Sequence, residues 1–314
     1  MAIYTTLNKK KIKSLISKYN VGTVLDFSVL SGGSANSSYR LITTEGQFVL
    51  TICDEKNLQE VKVLVNLLSY LEKKNFQTTK IIKSKSHETI TWFENKPVIL
   101  KQFISGNVFD EIDLGMLNEL GKEIARLHTI PAPNFLPKSA PYGMKFFPEI
   151  FESEYNPHYT EWLKEKYEYF TEKIPPDLPG GLIHGDVFYD NVLFTPDKNL
   201  AAIIDFEEAC NYYKIFDIAM CIVGTCALKR SISLKKAKSL VSGYQIIRKL
   251  EDMEQRALII FVEYAAVATS FWRFRQYNIF KPDPEKSNRF EEMKNIANKI
   301  HSINNDEFRE AIFN

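Results

Sequence analysis

Two different patterns of apolar residues divide the chain. Before about residue 104 the apolar residues form short runs separated by turn residues, which is typical of β-strands. One helical stripe interrupts these runs at 57–75, and a short amphipathic helix is predicted at 8–19. The dipeptides Gly32-Gly33 and Glu45-Gly46 favour turns of an antiparallel meander. The predicted strands are 24–30, 37–43, 47–53, 88–94 and 96–103.

Beyond residue 106 the pattern becomes mainly helical, apart from strand and loop at 182–206. The sequence therefore predicts an α+β fold with two lobes: residues 1–104, a small antiparallel sheet plus one helix, and residues 105–314, larger and mainly helical. Ligand clefts favour the seam between such lobes. The predicted helices are 113–128, two pieces within 148–173 around Pro157, 213–229, 233–248, 252–278 and 287–303.

Composition excludes several classes of protein. With 40 basic and 39 acidic residues the net charge is +1, which gives no electrostatic basis for binding nucleic acid or an anionic membrane. The four cysteines lack zinc-site spacing and are expected to be reduced thiols. No uninterrupted apolar run reaches membrane-spanning length, and the polar N-terminal segment does not resemble a signal peptide. We therefore expect a cytoplasmic protein with no membrane or nucleic-acid partner.

The residues that indicate chemistry lie between 184 and 207. Asp186 and Asn191 are five positions apart in "HGDVFYDN", and Asp205 precedes Phe206 in "AAIIDFEEAC". Phosphoryl transfer needs a carboxylate near the reacting hydroxyl and hard oxygen ligands for Mg²⁺, and protein kinases supply both with this order and spacing. Apolar runs at 192–194 and 201–206 predict a hairpin that returns Asp205 to Asn191. Each residue alone could serve a turn, but the three together predict a kinase-like active site.

The motifs "HGDVFYDNVLF" and "IIDFEEA" resemble the Brenner-type motif of the aminoglycoside phosphotransferase and choline kinase superfamily, whose fold is protein-kinase-like. Within it, the chain most resembles the homoserine kinases of that fold over nearly its full length, including "SGGSANSSYRLITTEGQFVLTI" and "SGYQIIRKL". The resemblance implies that ATP and Mg²⁺ are used to phosphorylate the hydroxyl of L-homoserine, a step of threonine biosynthesis.

The resemblance also implies roles for individual residues. Asp186 would accept or orient the hydroxyl proton of the substrate, and Asn191 and Asp205 would hold Mg²⁺ on the phosphates. His184 would orient the catalytic loop through hydrogen bonds, although a purely structural histidine fits that position equally well. Asp217, in "FDIA", would brace the loop from behind.

The nucleotide phosphates are expected at the turn in "LSGGSANSSYRL". Gly32 and Gly33 permit close approach of the backbone, and the side chains of Ser34, Asn36 and Ser37 could donate hydrogen bonds to phosphate oxygens. A hairpin turn uses the same residue types, so the location between two strands is what favours the phosphate loop.

The third strand departs from the kinase pattern. Thr51 occupies the position of the lysine that pairs with the α- and β-phosphates, a departure that the homoserine kinases of this fold share. Lys62, Lys101 or the metal alone could supply the missing charge. "LKQFISG" resembles the hinge that binds adenine, with contacts expected from Gln102, Phe103 and Ile104.

The phosphate acceptor is expected to be an amino alcohol. The ammonium group of homoserine could meet Glu207 or Glu208, and its carboxylate could meet Arg273 or Arg275 on a late helix. A pocket of acids and aromatics alone would favour choline or an aminoglycoside instead. A third interpretation, a pseudokinase or nucleotide-binding module, follows from Thr51 but leaves the proton acceptor Asp186 without a purpose.

Overall fold

The computed structural model describes residues 5–30, 36–153, 155–229 and 231–314, so the predicted phosphate-loop residues Gly32, Gly33 and Ser34 lie outside the described residues. The chain divides into two compact units. The first is Met1–Asn107 with Leu193–Pro196 and Ala201–Glu207, and the second contains the remainder. The two later segments of the first unit fall within the range 105–314 of the predicted second lobe.

The first unit is built on an antiparallel sheet. Its strands are ordered β1-β2-β3-β6-β4, with β5 paired to β6, so the predicted antiparallel sheet is confirmed. Thr51 lies in the middle of the sheet, opposite Ser38 on one side and Ile99 on the other. The strands are β1 (Val24–Leu30), β2 (Ser37–Thr43), β3 (Gly46–Ile52), β4 (Ile81–Ile82), β5 (Thr91–Phe93) and β6 (Lys96–Gln102).

The described residues of the first unit include the helices α1 (Lys9–Ile16) and α2 (Leu58–Lys73). The apolar face of α1 joins the core formed by the sheet, where Leu41, Leu50 and Leu100 are fully buried. Helix α2 begins with a capping box in which Asn57 accepts from the backbone N–H of Glu60, and the Glu60 carboxylate accepts the N–H of Asn57. Glu60, which occupies the position of the kinase partner glutamate, therefore caps its own helix.

The second unit is mainly helical. Pro157 is the first residue of α4, a position where its missing N–H costs nothing, and a 3₁₀ turn at Met144–Ile150 precedes it. The helices are α3 (Leu114–Thr129), α4 (Pro157–Lys173), α5 (Lys214–Cys226), α6 (Leu234–Ile247), α7 (Asp252–Phe274), α8 (Phe290–His301) and α9 (Asn305–Phe313). The final helix α9 was not predicted from the sequence pattern.

Short strand pairs accompany the helices. β7 (Gly180–Ile183) pairs antiparallel with β10 (Cys210–Tyr213), and β8 (Val192–Phe194) pairs with β9 (Leu200–Ile203), which confirms the predicted hairpin. A further pair joins β11 (Ala227–Leu228) to β12 (Ser231–Ile232). A strand-rich unit and a mainly helical unit together confirm the predicted α+β fold.

Helix α7 continues into a π-helical segment, Arg275–Phe280. Among the described residues, Asp252–Phe280 is the one helical stretch long and apolar enough to cross a membrane, but 83% of its apolar window is buried inside the protein. A core helix of a folded domain has this property. The four cysteines are free and buried, and burial raises the pKa of Cys53 and of Cys226 to about 12, so these two thiols stay protonated.

Candidate active site

The loop that follows β7 is held by one buried carboxylate. Asp217, in the first turn of α5, accepts the backbone N–H of His184 through Oδ2 at 2.9 Å and the N–H of Gly185 through Oδ1 at 2.8 Å. The side chain of Asp217 is fully buried, so both bonds are made away from water. These two bonds fix the backbone immediately before Asp186.

Gly185 makes the turn that presents Asp186. Its φ is +85°, and a Cβ at this position would meet the carbonyl oxygen of Glu208 at 2.6 Å, so no other residue fits. The N–H of Asp186 donates to Nδ1 of the buried His184 at 3.2 Å. His184 thus orients the loop through its ring nitrogen.

The five-residue step between Asp186 and Asn191 has a structural explanation. Nδ2 of Asn191 donates to the carbonyl oxygen of Asp186 at 2.9 Å and to its carboxylate Oδ2 at 3.2 Å, across the short turn Tyr189–Asn191. Because the amide nitrogen faces Asp186, the carbonyl oxygen of Asn191 is the atom of this side chain able to coordinate a cation.

Tyr142 is a second neighbour of Asp186, and sequence analysis missed it. Its hydroxyl donates to the carbonyl oxygen of Gly185 at 2.5 Å and lies 3.3 Å from Oδ1 of Asp186. Burial, together with the negative charges of Asp186 and Glu208, raises the pKa of Tyr142 well above its usual value, so the hydroxyl keeps its proton. Tyr142 lies in an irregular segment, where no spacing pattern could have identified it.

A buried hydrogen-bond chain continues behind Asp217. Nε2 of His128 lies 3.1 Å from Asp217 Oδ2, and Nδ1 of His128 lies 2.8 Å from the hydroxyl of Tyr244. An ionised Asp217 only accepts, so Nε2 carries the proton and Nδ1 accepts from Tyr244. Tyr244 in turn accepts from Arg248, which also binds Glu254 through two 2.9 Å bonds.

The surroundings of this hydrogen-bond chain keep Asp217 ionised and His128 neutral. Burial alone would raise the pKa of Asp217, but the hydrogen bonds from His128 and the backbone hold it below its usual value. Burial lowers the pKa of His128, which keeps the imidazole neutral. The carboxylate is therefore ionised and fully hydrogen-bonded, which is the state that can hold two backbone N–H groups.

Asp205 lies in the first unit, two residues after the end of β9. Its φ of +67° is uncommon for a residue with a side chain, and backbone strain of this kind is concentrated at functional sites. The next residue, Phe206, is buried and makes an edge-on ring contact with Phe76. The Asp-Phe pair therefore combines an unusual backbone conformation with a buried anchor.

Glu207 follows this pair and makes polar contacts within the first unit. Nδ2 of Asn36 donates to both carboxylate oxygens of Glu207, at 2.7 and 2.9 Å, and Nζ of Lys56 lies 3.5 Å from Oε2. Burial raises the pKa of Glu207, and the charge of Asp205 acts in the same direction. Two of the predicted ligand residues, Asn36 and Glu207, are thus bonded to each other.

Ser37 and Thr51, two other predicted nucleotide contacts, form hydrogen bonds with other residues of the first unit. The Ser37 hydroxyl donates to Asp54 Oδ2 at 2.6 Å and accepts the N–H of Thr5. Thr51 is 1% exposed, and its hydroxyl lies 3.1 Å from that of Ser38. Since a hydroxyl donates only one proton, the geometry favours a structural role for Ser37.

The segment resembling an adenine hinge leaves β6 at residue 102. The N–H groups of Gln102 and Phe103 donate to the backbone carbonyl oxygens of Lys80, just before β4, and Gln47, in β3. Arg40 stacks over the Phe103 ring with its guanidinium carbon 4.6 Å from the ring centre. Ile104, the third predicted hinge residue, follows these two bonded residues in the sequence.

The predicted acceptor residues of the second unit differ in their surroundings. Arg273 donates to Glu292 at 2.7 Å, and its charge opposes the rise that partial desolvation causes in the pKa of Asp190, in the catalytic loop. Arg275 binds Glu149 at 2.7 Å and stacks over the rings of Phe271 and Phe280. Arg273 is thus the arginine with an electrostatic link to the loop.

The site offers few protein ligands to a metal, which suits Mg²⁺ when phosphate oxygens and waters supply most of its coordination. Within the described residues no group of three or more His, Cys, Asp or Glu side chains is assembled. Mg²⁺ bound to phosphates does not need one, because one or two carboxylates with waters and phosphate oxygens complete its coordination. The amide oxygen of Asn191 and the carboxylate of Asp205 are each oxygen donors of the kind that Mg²⁺ prefers.

Replacing Asp217 with Asn tests the support of the loop. An amide offers one acceptor oxygen and turns an N–H₂ group toward a backbone N–H, so at least one buried donor loses its partner. We expect Asp217→Asn to lower the free energy of unfolding by about 3 kcal/mol. Urea denaturation measures this change.

Asp113→Asn is the matched control, because Asp113 caps α3 at an exposed position and Asn caps equally well. We expect it to change stability by less than about 1 kcal/mol. Equal losses in both variants would contradict a special role for Asp217.

Known proteins with similar sequences belong to a family of phosphotransferases. A family model described as the phosphotransferase enzyme family (APH) matches residues 26–245. A homoserine kinase of Rhizobium rhizogenes is 28% identical over 268 residues, covering 82% of this chain and 83% of that protein. A homoserine kinase of Gluconobacter oxydans is 29% identical over 279 residues, covering 85% and 87%.

A solved structure extends the likeness to the fold. The amicoumacin kinase complex with AMP-PNP and Ca²⁺ superposes with a TM-score of 0.75 at 13% identity, covering 96% of this chain and 97% of that one. The expected protein-kinase-like fold is confirmed, and the resemblance to homoserine kinases extends over most of the chain. The protein is an enzyme that transfers a phosphoryl group to a hydroxyl acceptor. The chain belongs to the phosphotransferase enzyme family.

Proposed function

We propose that this enzyme uses ATP and Mg²⁺ to phosphorylate the side-chain hydroxyl of L-homoserine, a step of threonine biosynthesis. The observation that carries the proposal is the carboxylate of Asp186, which Asn191 and the neighbouring hydroxyl of Tyr142 hold at the tip of a loop fixed by Asp217. A binding module has no need for a carboxylate positioned in this way.

The chemistry needs little more than this positioned base. The substrate hydroxyl oxygen attacks the γ-phosphorus, the bond from that phosphorus to the bridging oxygen of ADP breaks, and Asp186 accepts the hydroxyl proton. Tyr142 stays protonated and therefore does not compete for that proton. Positioning and charge stabilisation supply most of the rate enhancement in reactions of this kind.

Residues of both units have roles in the proposal. Asn191 and Asp205 are the proposed ligands of Mg²⁺, which would neutralise charge on the transferred phosphate. Ile104 is the proposed backbone contact of adenine, because the N–H groups of Gln102 and Phe103 are bonded within the sheet. Residues 1–104 would bind the nucleotide and 105–314 would carry catalysis. The turn residues Gly32, Gly33, Ser34 and Asn36 are proposed to cover the phosphates.

The choice of homoserine is supported by the names of the curated relatives and by two residues. We assign its ammonium group to Glu208, since the Glu207 carboxylate is bound by Asn36 and Lys56. Glu208 and Asp186 both act electrostatically on Tyr142, so the two carboxylates belong to one neighbourhood. We assign the substrate carboxylate to Arg273, the arginine that influences the catalytic loop.

The first test is turnover with Mg-ATP across L-homoserine, choline, ethanolamine and several aminoglycosides. We expect strong turnover with homoserine, and a fall in kcat of about 10² to 10⁴ in Asp186→Asn, because the general base is lost. The affinity for ATP should not change. A coupled assay of ADP release and calorimetric binding of ATP give these two quantities separately.

Asp197→Asn, in the exposed turn between β8 and β9, is the control and should retain full activity. Turnover with another acceptor alone would remove homoserine from the proposal. Nucleotide binding with no turnover on any acceptor would support the pseudokinase interpretation instead.

Arg273→Lys tests the assignment of the substrate carboxylate. Lysine keeps the charge but cannot form a two-pronged bond to a carboxylate, so the KM for homoserine should rise about tenfold while the KM for ATP is unchanged. Arg275→Lys is the matched control on the same helical segment, with no expected change in either KM. An unchanged KM for homoserine in Arg273→Lys would exclude this contact.

A further inference from the structure

The third strand of the first unit has no lysine at the position from which protein kinases contact the nucleotide phosphates. In protein kinases a lysine of the third strand contacts the phosphates and is held by an ion pair with a glutamate of the following helix. Here the corresponding strand residue is Thr51, buried against Ser38, and the glutamate of α2 is the capping residue Glu60. Neither half of that ion pair is therefore available at its ordinary position.

Another lysine–glutamate pair lies in the same unit. Nζ of Lys56, in the segment between β3 and α2, is 3.5 Å from Oε2 of Glu207 and donates to the carbonyl oxygen of Glu207 at 3.4 Å. The side chains are only 18% and 15% exposed. Glu207 stands two residues after Asp205, and Lys56 stands five residues after Thr51.

A third residue connects this pair to the predicted phosphate loop. Asn36 binds both oxygens of Glu207 through its amide nitrogen, so the orientation of its amide is fixed. Its carbonyl oxygen Oδ1 is buried and has no partner among the described residues. Asn36 and Lys56 therefore both contact the same carboxylate, that of Glu207.

Glu207 contacts the Lys56 ammonium group through its carboxylate and through its carbonyl oxygen, and these two contacts hold the charge in place. An ammonium group binds phosphate as a compact point charge. Lys101 also acts on the charge of Glu207, but Lys56 is the lysine in direct contact with it.

We propose that Lys56, held by Glu207 and through it by Asn36, is the lysine that contacts the α- and β-phosphates of the nucleotide. In this proposal Lys56 and Glu207, the residue after Asp205-Phe206, replace the lysine–glutamate ion pair of a protein kinase. This inference rests on the proposed use of a nucleotide as phosphate donor, and it places Glu207 at the nucleotide rather than at the acceptor.

The test is calorimetric binding of ADP and of adenosine to the full-length protein. Lys56→Met should weaken ADP binding about tenfold or more, because one charge-assisted phosphate contact is lost. Adenosine has no phosphates, so its affinity should not change, which also shows that the variant is folded. Lys56→Arg should recover part of the ADP affinity, since it restores the charge.

Lys62→Met and Lys101→Met are the matched controls. Lys62 is exposed on α2 and should have no effect, and Lys101→Met should change ADP affinity less than Lys56→Met does. Glu207→Gln should also weaken ADP binding with little effect on adenosine, because the lysine loses its anchor.

The outcomes distinguish the role of Lys56 from the proposed use of a nucleotide. Unchanged ADP affinity in Lys56→Met, or a larger loss in Lys101→Met, would overturn the role of Lys56 and leave the proposed function intact. Equal losses of ADP and adenosine affinity would identify Lys56 as a structural residue and also overturn the inference. Failure of the wild-type protein to bind either compound would instead overturn the proposed nucleotide use itself.

Discussion

The buried carboxylate of Asp217 is the interaction on which the catalytic loop depends. A fully buried charge is tolerated only when hydrogen bonds satisfy it, and Asp217 receives two backbone N–H groups from His184 and Gly185 as well as the ring N–H of His128. The position of Asp186 is therefore set from behind, through the backbone. The same bonds that offset the cost of burying Asp217 hold the backbone before Asp186, the proposed proton acceptor.

The first unit differs from a kinase in the third strand of its sheet, where Thr51 replaces the lysine that would contact nucleotide phosphates. Thr51 is small enough to be buried between strands and hydrogen-bonded to Ser38, where a lysine would need an exit to solvent. Positive charge acts instead on Glu207. Burial raises the pKa of its carboxyl, and the charges of Lys56 and Lys101 lower it. Contact with Glu207 gives Lys56, a loop residue, a defined position, as the proposed phosphate contact requires.

Periodicity predicted most of the fold, because elements such as β2 and α2 bury one regular face. It missed α9, which is short, and the π-helical end of α7, since both depend on packing. The loop motif indicated Asp186, Asn191 and Asp217, and the structure adds their contacts. Tyr142 and His128 could not be found in this way, because their partners are distant in sequence and no spacing rule connects them.

Hydrogen exchange at the amides of His184 and Gly185 tests the central claim most directly. If the Asp217 carboxylate holds the loop, these amides should exchange only through global unfolding, with protection equal to the unfolding free energy measured by denaturant. A peptide covering 182–188, followed by mass spectrometry at increasing urea, provides this comparison. Exchange of these two amides at the rate of an exposed loop, while α5 remains protected, would contradict the account.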